Sequence, residues 1–467
     1  MVTQARPKPV LHEQFCKACG RCIEACARQC ISCGTAIEPA SGFVPVALHL
    51  DDCNGCGLCI DACPEPYGLV DAVLAGEFAD ARRQRAAGVG SARPAPRDVP
   101  DERLPLPARE PLFIKGTHAA AVGALLAGCR HFFGYPITPS TEGAELMARL
   151  LPGLGGVFVQ APSEVATINM MYGCGGAGRP GMTFTSSPGF SLMLEGVSYL
   201  IGAEVPGVVV DVMRAGPGLG NVGPEQSDMK LACRGLGHGN TRAIVLAPAT
   251  PQEMLDFTML AFQLSFQYRN PVVVLADAYL GQMTGQVRLP RELVRPGLPA
   301  WAVSGDAAHR KNVIVSILLE EADQERHNLH LIEKYRRMTE AEQRADLFCC
   351  EDAEVLVVAC NTPARMTKGA VRALRAAGVA AGLFRPQTIW PFPVRALVPL
   401  LDRVRRVVVV EASDGQLEDE LRLALSHAGH PGVEIQHVRR MGGILPSQRE
   451  IVEAVQGNRS SRKAVAA

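Results

Sequence analysis

Val208-Val209-Val210-Asp211-Val212-Met213, followed at once by Arg214-Ala-Gly-Pro-Gly-Leu-Gly-Asn221, sets the architecture of most of the chain. Six residues are too few for a helix of ordinary length. Their β-branched character, broken only by Asp211, is that of a strand buried on both faces. Pro271–Ala276 reads the same way. Around these two lie blocks of alternating type. Ala119–Ala127 is small and helical, Cys129–Tyr135 leads into a Pro/Thr/Ser turn, Val157–Gln160 has strand length, and Ser163–Gly173 carries helical spacing. Such a βαβ rhythm predicts a doubly wound parallel sheet with helices on both faces. It also places Arg214 just beyond a strand's carboxyl end, the edge where open α/β sheets take ligands.

Working outward, 301–352 is charged and helical in character, with Glu320, Glu321, Glu325, Arg326, Lys334, Arg336 and Arg337. It is expected to connect the 112–300 domain to a second α/β unit over 353–467. There Val355–Ala359, Gly382–Phe384 and Val407–Glu411 have strand character and Ala370–Ala377 is helical. Residues 73–111 are rich in Ala, Arg and Pro with few large apolar side chains, the composition of a linker. Several domains agree with a length of 467 residues, since one core rarely outgrows roughly 250–300.

The remaining segment, 1–72, is set apart by cysteine. Of 16 cysteines, ten fall between Cys16 and Cys63. No apolar run follows the N-terminal Met-Val-Thr-Gln-Ala-Arg-Pro-Lys-Pro, so no secretory signal is expected and a reducing cytoplasm is the expected setting. No apolar run approaches the ~20 residues of a membrane span. A formal net charge of +0 gives no footprint for nucleic acid.

The cysteines fall as Cys16-x2-Cys19-x2-Cys22-x3-Cys26 and Cys53-x2-Cys56-x2-Cys59-x3-Cys63-Pro64. Tetrahedral zinc needs only CxxC pairs and gives no reason for the third Cys in each run. Two such runs are the pattern of a small α+β bacterial ferredoxin domain with two [4Fe-4S] clusters, each tight loop supplying three ligands and the distant run the fourth. Cys16, Cys19, Cys22 and Cys63 then hold one cluster; Cys53, Cys56, Cys59 and Cys26 hold the other. Cys26 is followed by Ala27 rather than Pro, and Cys30 is an alternative fourth ligand. The plainer reading leaves Cys30 and Cys33 as unligated thiols in an enlarged loop. Paired clusters mean electron transfer.

Four blocks of the larger part carry candidate chemistry. Tyr135-Pro-Ile-Thr138-Pro-Ser-Thr141 is a double-proline turn entering a helix, with Ser140 and Thr141 suited to cap it. Glu164 opens a helix of mostly small and apolar residues, where a carboxyl group can share or donate a proton. Thr185-Ser-Ser187-Pro-Gly-Phe190 has the small residues of a loop near a ligand. Arg214 is placed for a bidentate grip on a carboxylate. Each also has a plain structural reading: a capped helix, a first-turn Glu on the helix dipole, a surface turn and a solvated Arg.

Taken together, these blocks resemble the α subunit of 2-oxoacid:ferredoxin oxidoreductases. So do Asp277-Ala-Tyr-Leu-Gly-Gln282, Arg385-Pro-Gln-Thr-Ile-Trp-Pro-Phe-Pro393, Glu411 with Gly415-Gln416, and Gly442-Gly443. The likeness spans about residues 112–455. Met213-Arg-Ala-Gly-Pro-Gly-Leu-Gly-Asn221 and Pro224-Glu-Gln-Ser-Asp228 are most similar to the branched-chain, 3-methyl-2-oxobutanoate type, while Ala215, Met229 and the fused Cys-rich domain depart from relatives.

The resemblance implies a thiamine-diphosphate-binding, pyrimidine-type domain plus a transketolase C-terminal-like domain. It implies an enzyme that converts a 2-oxoacid and coenzyme A to acyl-CoA, CO2 and two electrons. Glu164 would contact the aminopyrimidine, with Tyr135, Pro136 and Ser187 completing the cofactor-binding set. Thr138 would meet the substrate's oxo and carboxylate groups, and Arg214 would pair with the carboxylate, helped by Ser187. The chain has no Gly-Asp-Gly followed by Asn-Asn, the segment that holds diphosphate and Mg2+ in thiamine enzymes. A β subunit is therefore implied to supply that half, with a γ subunit and ferredoxin or another acceptor as further partners. Rival expectations are a phenylglyoxylate, pyruvate or 2-oxoglutarate substrate, or an electron-relay and assembly subunit.

Overall fold

The computed structural model describes residues 8–65, 67–73, 75–76 and 95–457. The chain forms two compact units, Met1–Pro94 and Ala95–Ala467. In the first, Pro9–Leu11 pairs antiparallel with Leu69–Asp71, and Ile31–Cys33 with Val46–Leu48. Two short helices, Arg21–Ala25 and Leu58–Asp61, each carry the third Cys of a run on the buried side. Both follow a glycine with positive φ, Gly20 at +75° and Gly57 at +83°, which turns the Cys loop into the helix without a Cβ clash.

The second unit contains both α/β layers. Its larger sheet has seven strands in the order Thr388–Trp390, Ile244–Leu246, Pro271–Asp277, Gly207–Met213, Gly181–Thr185, His131–Gly134 and Val157–Gln160. Six run parallel; Thr388–Trp390 pairs antiparallel with Ile244–Leu246. As the Val-rich composition predicted, every residue of Gly207–Met213 and Pro271–Asp277 is buried. Helices cover both faces. Gly116–Leu126 is buried through Ala119, Ala120, Ala121 and Ala124, side chains small enough for it to lie close against Pro251–Tyr268. The latter helix is started by Thr250, whose side chain accepts from Glu253 N at 3.1 Å, and by Pro251 at its first position.

The smaller sheet has five strands, in the order Ala345–Phe348, Ala381–Pro386, Val355–Val358, Arg406–Glu411 and Ile435–Arg439. Thus the C-terminal unit expected to begin at 353 draws in Ala345–Phe348 from the stretch read as a helical connector. It also lends Thr388–Trp390 to the larger sheet. Within 301–352 the helix is Glu321–Ala341, and residues 312–319 have no regular secondary structure.

The stretch 73–111 is a linker only in part. Glu102–Pro105 pairs antiparallel with Glu292–Arg295, because alternation across that short edge strand buries Leu104 partway while its polar neighbours face water. Residues 77–94 lie outside the described residues. No helix among the described residues is long and apolar enough to cross a membrane.

The Glu321–Ala341 helix sends one charge inward. The Lys334 side chain is 2 % exposed, and its amine donates to Glu204 Oε1 at 3.2 Å and to the Arg269 carbonyl at 3.3 Å. Burial pulls Lys334 from 10.5 down to about 8, opposed by Glu204. Between those values the unfolded chain holds a proton that the folded chain has released, so this group's contribution to stability rises with pH from about 8 to about 10.5. Thermal unfolding across that window should show wild type gaining on Lys334→Met; parallel curves would mean that the amine is not buried as described.

Candidate functional site

In the Cys-rich unit, Cys16, Cys19, Cys22 and Cys63 line one cleft, closed on its far side by Leu11, Val46 and Leu69. Burial pushes the Cys22 thiol up to about 11, with Cys63, Cys16 and Cys19 as its charged neighbours. Cys59 is raised by burial and has Cys26, Cys53 and Cys56 around it. Cys16, Cys19, Cys22 and Cys63 thus lie near one another, and so do Cys26, Cys53, Cys56 and Cys59. Cys30 is buried beside Cys26 and donates its backbone N–H to Cys26 Sγ at 3.3 Å, while its own thiol turns to the Arg28 carbonyl at 3.6 Å. Among the described residues no three His, Cys, Asp or Glu side chains close on a single-ion position. The thiols ring a volume instead, which suits a cube whose four irons each take one ligand.

In the α/β unit the candidate residues gather along the carboxyl edge of the larger sheet, beyond Gly134, Gln160, Thr185, Met213 and Asp277. Glu164 begins the Glu164–Gly176 helix, whose N-cap Ser163 accepts from Ala166 N at 3.2 Å. It is 5 % exposed, and no described residue hydrogen-bonds to its carboxylate. Thr185–Phe190 is not a surface turn: it is the end of a buried strand and the first turn of the Ser187–Gly202 helix. Gly189, in that turn, leaves room for Glu164, since a Cβ there would stand 2.6 Å from Glu164 Oε1 and 2.5 Å from Thr185 Oγ1. The hydroxyls of Thr185 and Ser186 are also buried without a partner.

Arg214 and Thr138 meet. The Arg214 Nη1 donates to the Thr138 carbonyl at 2.9 Å and its Nη2 to the Leu219 carbonyl at 3.1 Å, while its Nε has no partner. Ser187 is half-buried at the cleft: its hydroxyl accepts from Arg214 N at 3.0 Å and donates to Asp228 Oδ2. Tyr135, Pro136 and Thr138 are exposed. Ser140 occupies the N-cap of Thr141–Leu150 but makes no capping bond; its hydroxyl donates back to the Ile137 carbonyl at 2.8 Å and tightens the turn.

Several supporting residues were not singled out from the sequence. Gln282 donates to the Pro139 carbonyl at 3.0 Å and accepts from Lys115, whose amine also bridges both Glu142 oxygens at 2.8 Å. Asn221 accepts from Gly223 N at 2.7 Å and donates to the Gly442 carbonyl at 3.1 Å, so the C-terminal unit closes on the loop after Arg214. A Cβ at Gly223 would stand 2.8 Å from Gly443 Cα, which explains the glycine pair. An open cleft of about 450 Å3 lies there, lined by Ser187, Pro217, Asp228, Asp414, Gln416 and Met441. The sequence signal for Asp228 was its place in Pro-Glu-Gln-Ser-Asp; Gly189 and Gln282 gave none beyond their motifs.

A doubly wound sheet with a buried glutamate, an arginine and a threonine at its carboxyl edge, fused to a four-plus-four cysteine module, defines a thiamine-type electron-transfer subunit. The comparisons agree. Residues 122–343 match the family profile "Pyruvate flavodoxin/ferredoxin oxidoreductase, thiamine diP-bdg", 353–451 match "Pyruvate:ferredoxin oxidoreductase core domain II", and 15–66 match "4Fe-4S dicluster domain". The chain is 48% identical over 344 residues to ketoisovalerate oxidoreductase subunit VorB of Methanothermobacter thermautotrophicus, covering 73% of this chain and 96% of that one. It is 35% identical to 2-oxoglutarate synthase subunit KorA of Methanothermobacter marburgensis, covering 74% and 99%. Among solved structures it is similar to 2-oxoglutarate:ferredoxin oxidoreductase from Magnetococcus marinus, with TM-score 0.67 and 26% identity over 75% of this chain and 65% of that one. The chain belongs to the 2-oxoacid:ferredoxin oxidoreductase family.

Gly189→Ala tests the crowding around Glu164. In the assembled enzyme we expect the half-saturating thiamine diphosphate concentration to rise about tenfold or more, an equilibrium effect of roughly 1.4 kcal/mol. An unchanged cofactor titration would show that Glu164 can give way.

Proposed function

We propose that this chain is the thiamine-pyrimidine half of a 2-oxoacid oxidoreductase complex catalysing RCOCOO⁻ + CoA-SH → RCO-S-CoA + CO2 + H+ + 2 e−, with the electrons received by its own [4Fe-4S] clusters. One observation carries the reading: Glu164, 5 % exposed and without a hydrogen-bond donor among the described residues, stands at the carboxyl edge of the larger sheet, where its carboxylate can accept from a ligand. An aminopyrimidine nitrogen matches it. Thiamine diphosphate, when bound, supplies the carbanion-stabilising chemistry for loss of CO2.

The chain's own residues then divide the work. Glu164 holds or moves a proton at the pyrimidine. Tyr135 and Pro136 flank the cofactor on the exposed turn, and Thr138 presents its hydroxyl to the 2-oxoacid's oxo and carboxylate oxygens. Arg214, charged at any working pH, faces the carboxylate. Ser187, fastened to Arg214 and Asp228, acts on the substrate through Arg214 more than by touching it. Apolar side chains exposed along the same edge, Tyr135, Val165 and Tyr279, fit a partner surface. A β subunit carrying the diphosphate and Mg2+ would close the site there, with a γ subunit and ferredoxin or another acceptor completing a cytoplasmic complex.

Two clusters, held by Cys16, Cys19, Cys22 and Cys63 and by Cys53, Cys56, Cys59 and Cys26, agree with the two cysteine neighbourhoods. In that arrangement Cys30 supports Cys26 by a backbone N–H.

The loop after Arg214 supports a substrate with an apolar side chain. Between Ala215 and Gly223 the only polar side chain is Asn221, which is committed to Gly223 and Gly442. Leu219 and Val222 are exposed there. A second, distal carboxylate would find no donor in this stretch, and a site that leaves a charge unpaired rejects it strongly.

In the co-expressed complex with a viologen acceptor, 3-methyl-2-oxobutanoate should exceed 2-oxoglutarate in kcat/KM by about 100-fold or more; a preference for 2-oxoglutarate overturns the substrate assignment. An aryl 2-oxoacid such as phenylglyoxylate, or pyruvate, leading the panel would redefine the side-chain pocket. Glu164→Gln should lower kcat by about 10²–10⁴, whereas retained turnover would point to a relay subunit. Iron analysis should give two cubanes in wild type and Cys30→Ala, and one in Cys26→Ala.

A further inference from the structure

Asp211 is the one charged residue of the Gly207–Met213 strand, and it is fully buried. With both neighbouring carboxyls ionised, neither Asp211 oxygen would have a donor. What it meets is the carboxyl group of Asp228, within hydrogen-bonding reach. Two carboxylates in contact, sealed from water, do not both ionise, so a proton lies between them. Burial raises both groups. Asp228 Oδ2 accepts from the Ser187 hydroxyl, whereas Asp211 has no other donor, so the fully enclosed Asp211 is the one that keeps its proton. Its O–H therefore donates to Asp228, and the pair carries one negative charge on the Asp228 side.

That charge is wired to the site. Asp228 Oδ2 accepts from the Ser187 hydroxyl. Ser187 Oγ accepts the Arg214 backbone N–H at 3.0 Å, and the Arg214 carbonyl accepts from the Ser227 hydroxyl at 2.8 Å. Both main-chain groups of Arg214 are thus held by hydroxyls, and the Ser187 hydroxyl leads back to the buried pair. From there its guanidinium reaches the Thr138 and Leu219 carbonyls. A leucine would fill the Asp211 position in this Val-rich strand with less cost of burial, so the carboxyl group is kept for what it does to Asp228.

We propose that Asp211 and Asp228 form a proton-sharing positioning pair that, through the Ser187 hydroxyl, fixes the main chain at Arg214 and aims its guanidinium at the substrate carboxylate. The proposal rests on the reading that Arg214 grips that carboxylate.

The test is steady-state kinetics of the assembled complex. Asp211→Asn keeps a donor toward Asp228 and, as the conservative variant, should hold the 2-oxoacid KM to within about threefold. Asp211→Leu removes the donor and should raise that KM about tenfold or more while leaving the coenzyme A KM unchanged. Ser187→Ala cuts the link with a smaller change and should give the same split, should Asp211→Leu fail to assemble. In an Arg214→Ala background neither change should add anything, because the group they aim is gone. Equal loss from Asn and Leu at 211, parallel rises in both KM values, or additivity with Arg214→Ala would each overturn the pair's role. An Arg214→Ala complex with an unaltered 2-oxoacid KM overturns the carboxylate grip itself, and the proposal with it.

Discussion

The two α/β layers are joined by hydrogen bonds and an ion pair between side chains that are mostly buried. Asp277, at the end of a central strand of the larger sheet, accepts from Thr362 N and Thr362 Oγ1, both at 2.8 Å. Asn361 donates in the other direction, to the carbonyls of Leu275 at 2.8 Å and Pro248 at 3.0 Å. Gln226 bridges further along, accepting from Ala412 N at 2.8 Å and donating to the Cys360 carbonyl at 3.2 Å. Arg385 grips Glu253 with two bonds of 2.8 and 2.6 Å. Parting the layers would strand each of these groups, at about 1–3 kcal/mol apiece and more for the ion pair. The join is therefore no hinge, and the carboxyl edge of the larger sheet is presented as a fixed surface.

That rigidity bears on the chemistry. Ser227 and Asp228 follow directly on Gln226, and the Ser227 carbonyl accepts from Gln416 Nε2 at 2.8 Å. Lys230 N in turn donates to Gln416 Oε1 at 2.9 Å, and Arg234 holds Glu420 with both ends of its fork. The residues that seat Arg214 are thus themselves seated by the C-terminal layer. Under the proposed assignment, a half-site completed by another subunit would gain from this, since whatever order is built in beforehand need not be supplied when partner and substrate bind.

How much could be read from the chain follows from which signals are local. The buried central strands were legible because burial on both faces leaves unbroken Val-rich runs, and Val157–Gln160 emerged with its limits intact. Short strands were not. Ile244–Leu246 and Thr388–Trp390 are three residues each, and nothing in either predicts that they pair with one another from distant parts of the chain. Glu102–Pro105 hid for a similar reason: its composition is that of a linker, and only its partner Glu292–Arg295 makes it a strand. The cysteine spacing needed no such help, because four cysteines crowded into each of two short runs are a local statement. At the carboxyl edge, Glu164, Thr138 and Arg214 stood out by motif. Gly189 and Asp211 matter only through what packs on them, and that is a property of the assembled sheet.

The C-terminal motifs show the same distinction from the other side. Arg385, Glu411 with Gly415-Gln416, and Gly442-Gly443 invite a reading as active-site residues, since they are unusual, ordered and polar. Their geometry assigns them to the join. Arg385 meets Glu253, the Glu411 carboxylate accepts from Leu417 N at 2.9 Å and from Ser413, Gln416 clasps Ser227, and Gly442 N donates to Glu225 at 3.0 Å. Burial pushes Glu411 and Glu225 upward, and both are answered by backbone donors. Glu164 is the contrasting case, nearly enclosed but with no donor among the described residues. Of these three carboxylates, Glu411 and Glu225 have bonds that tie the fold together, and Glu164 keeps its oxygens free to accept one.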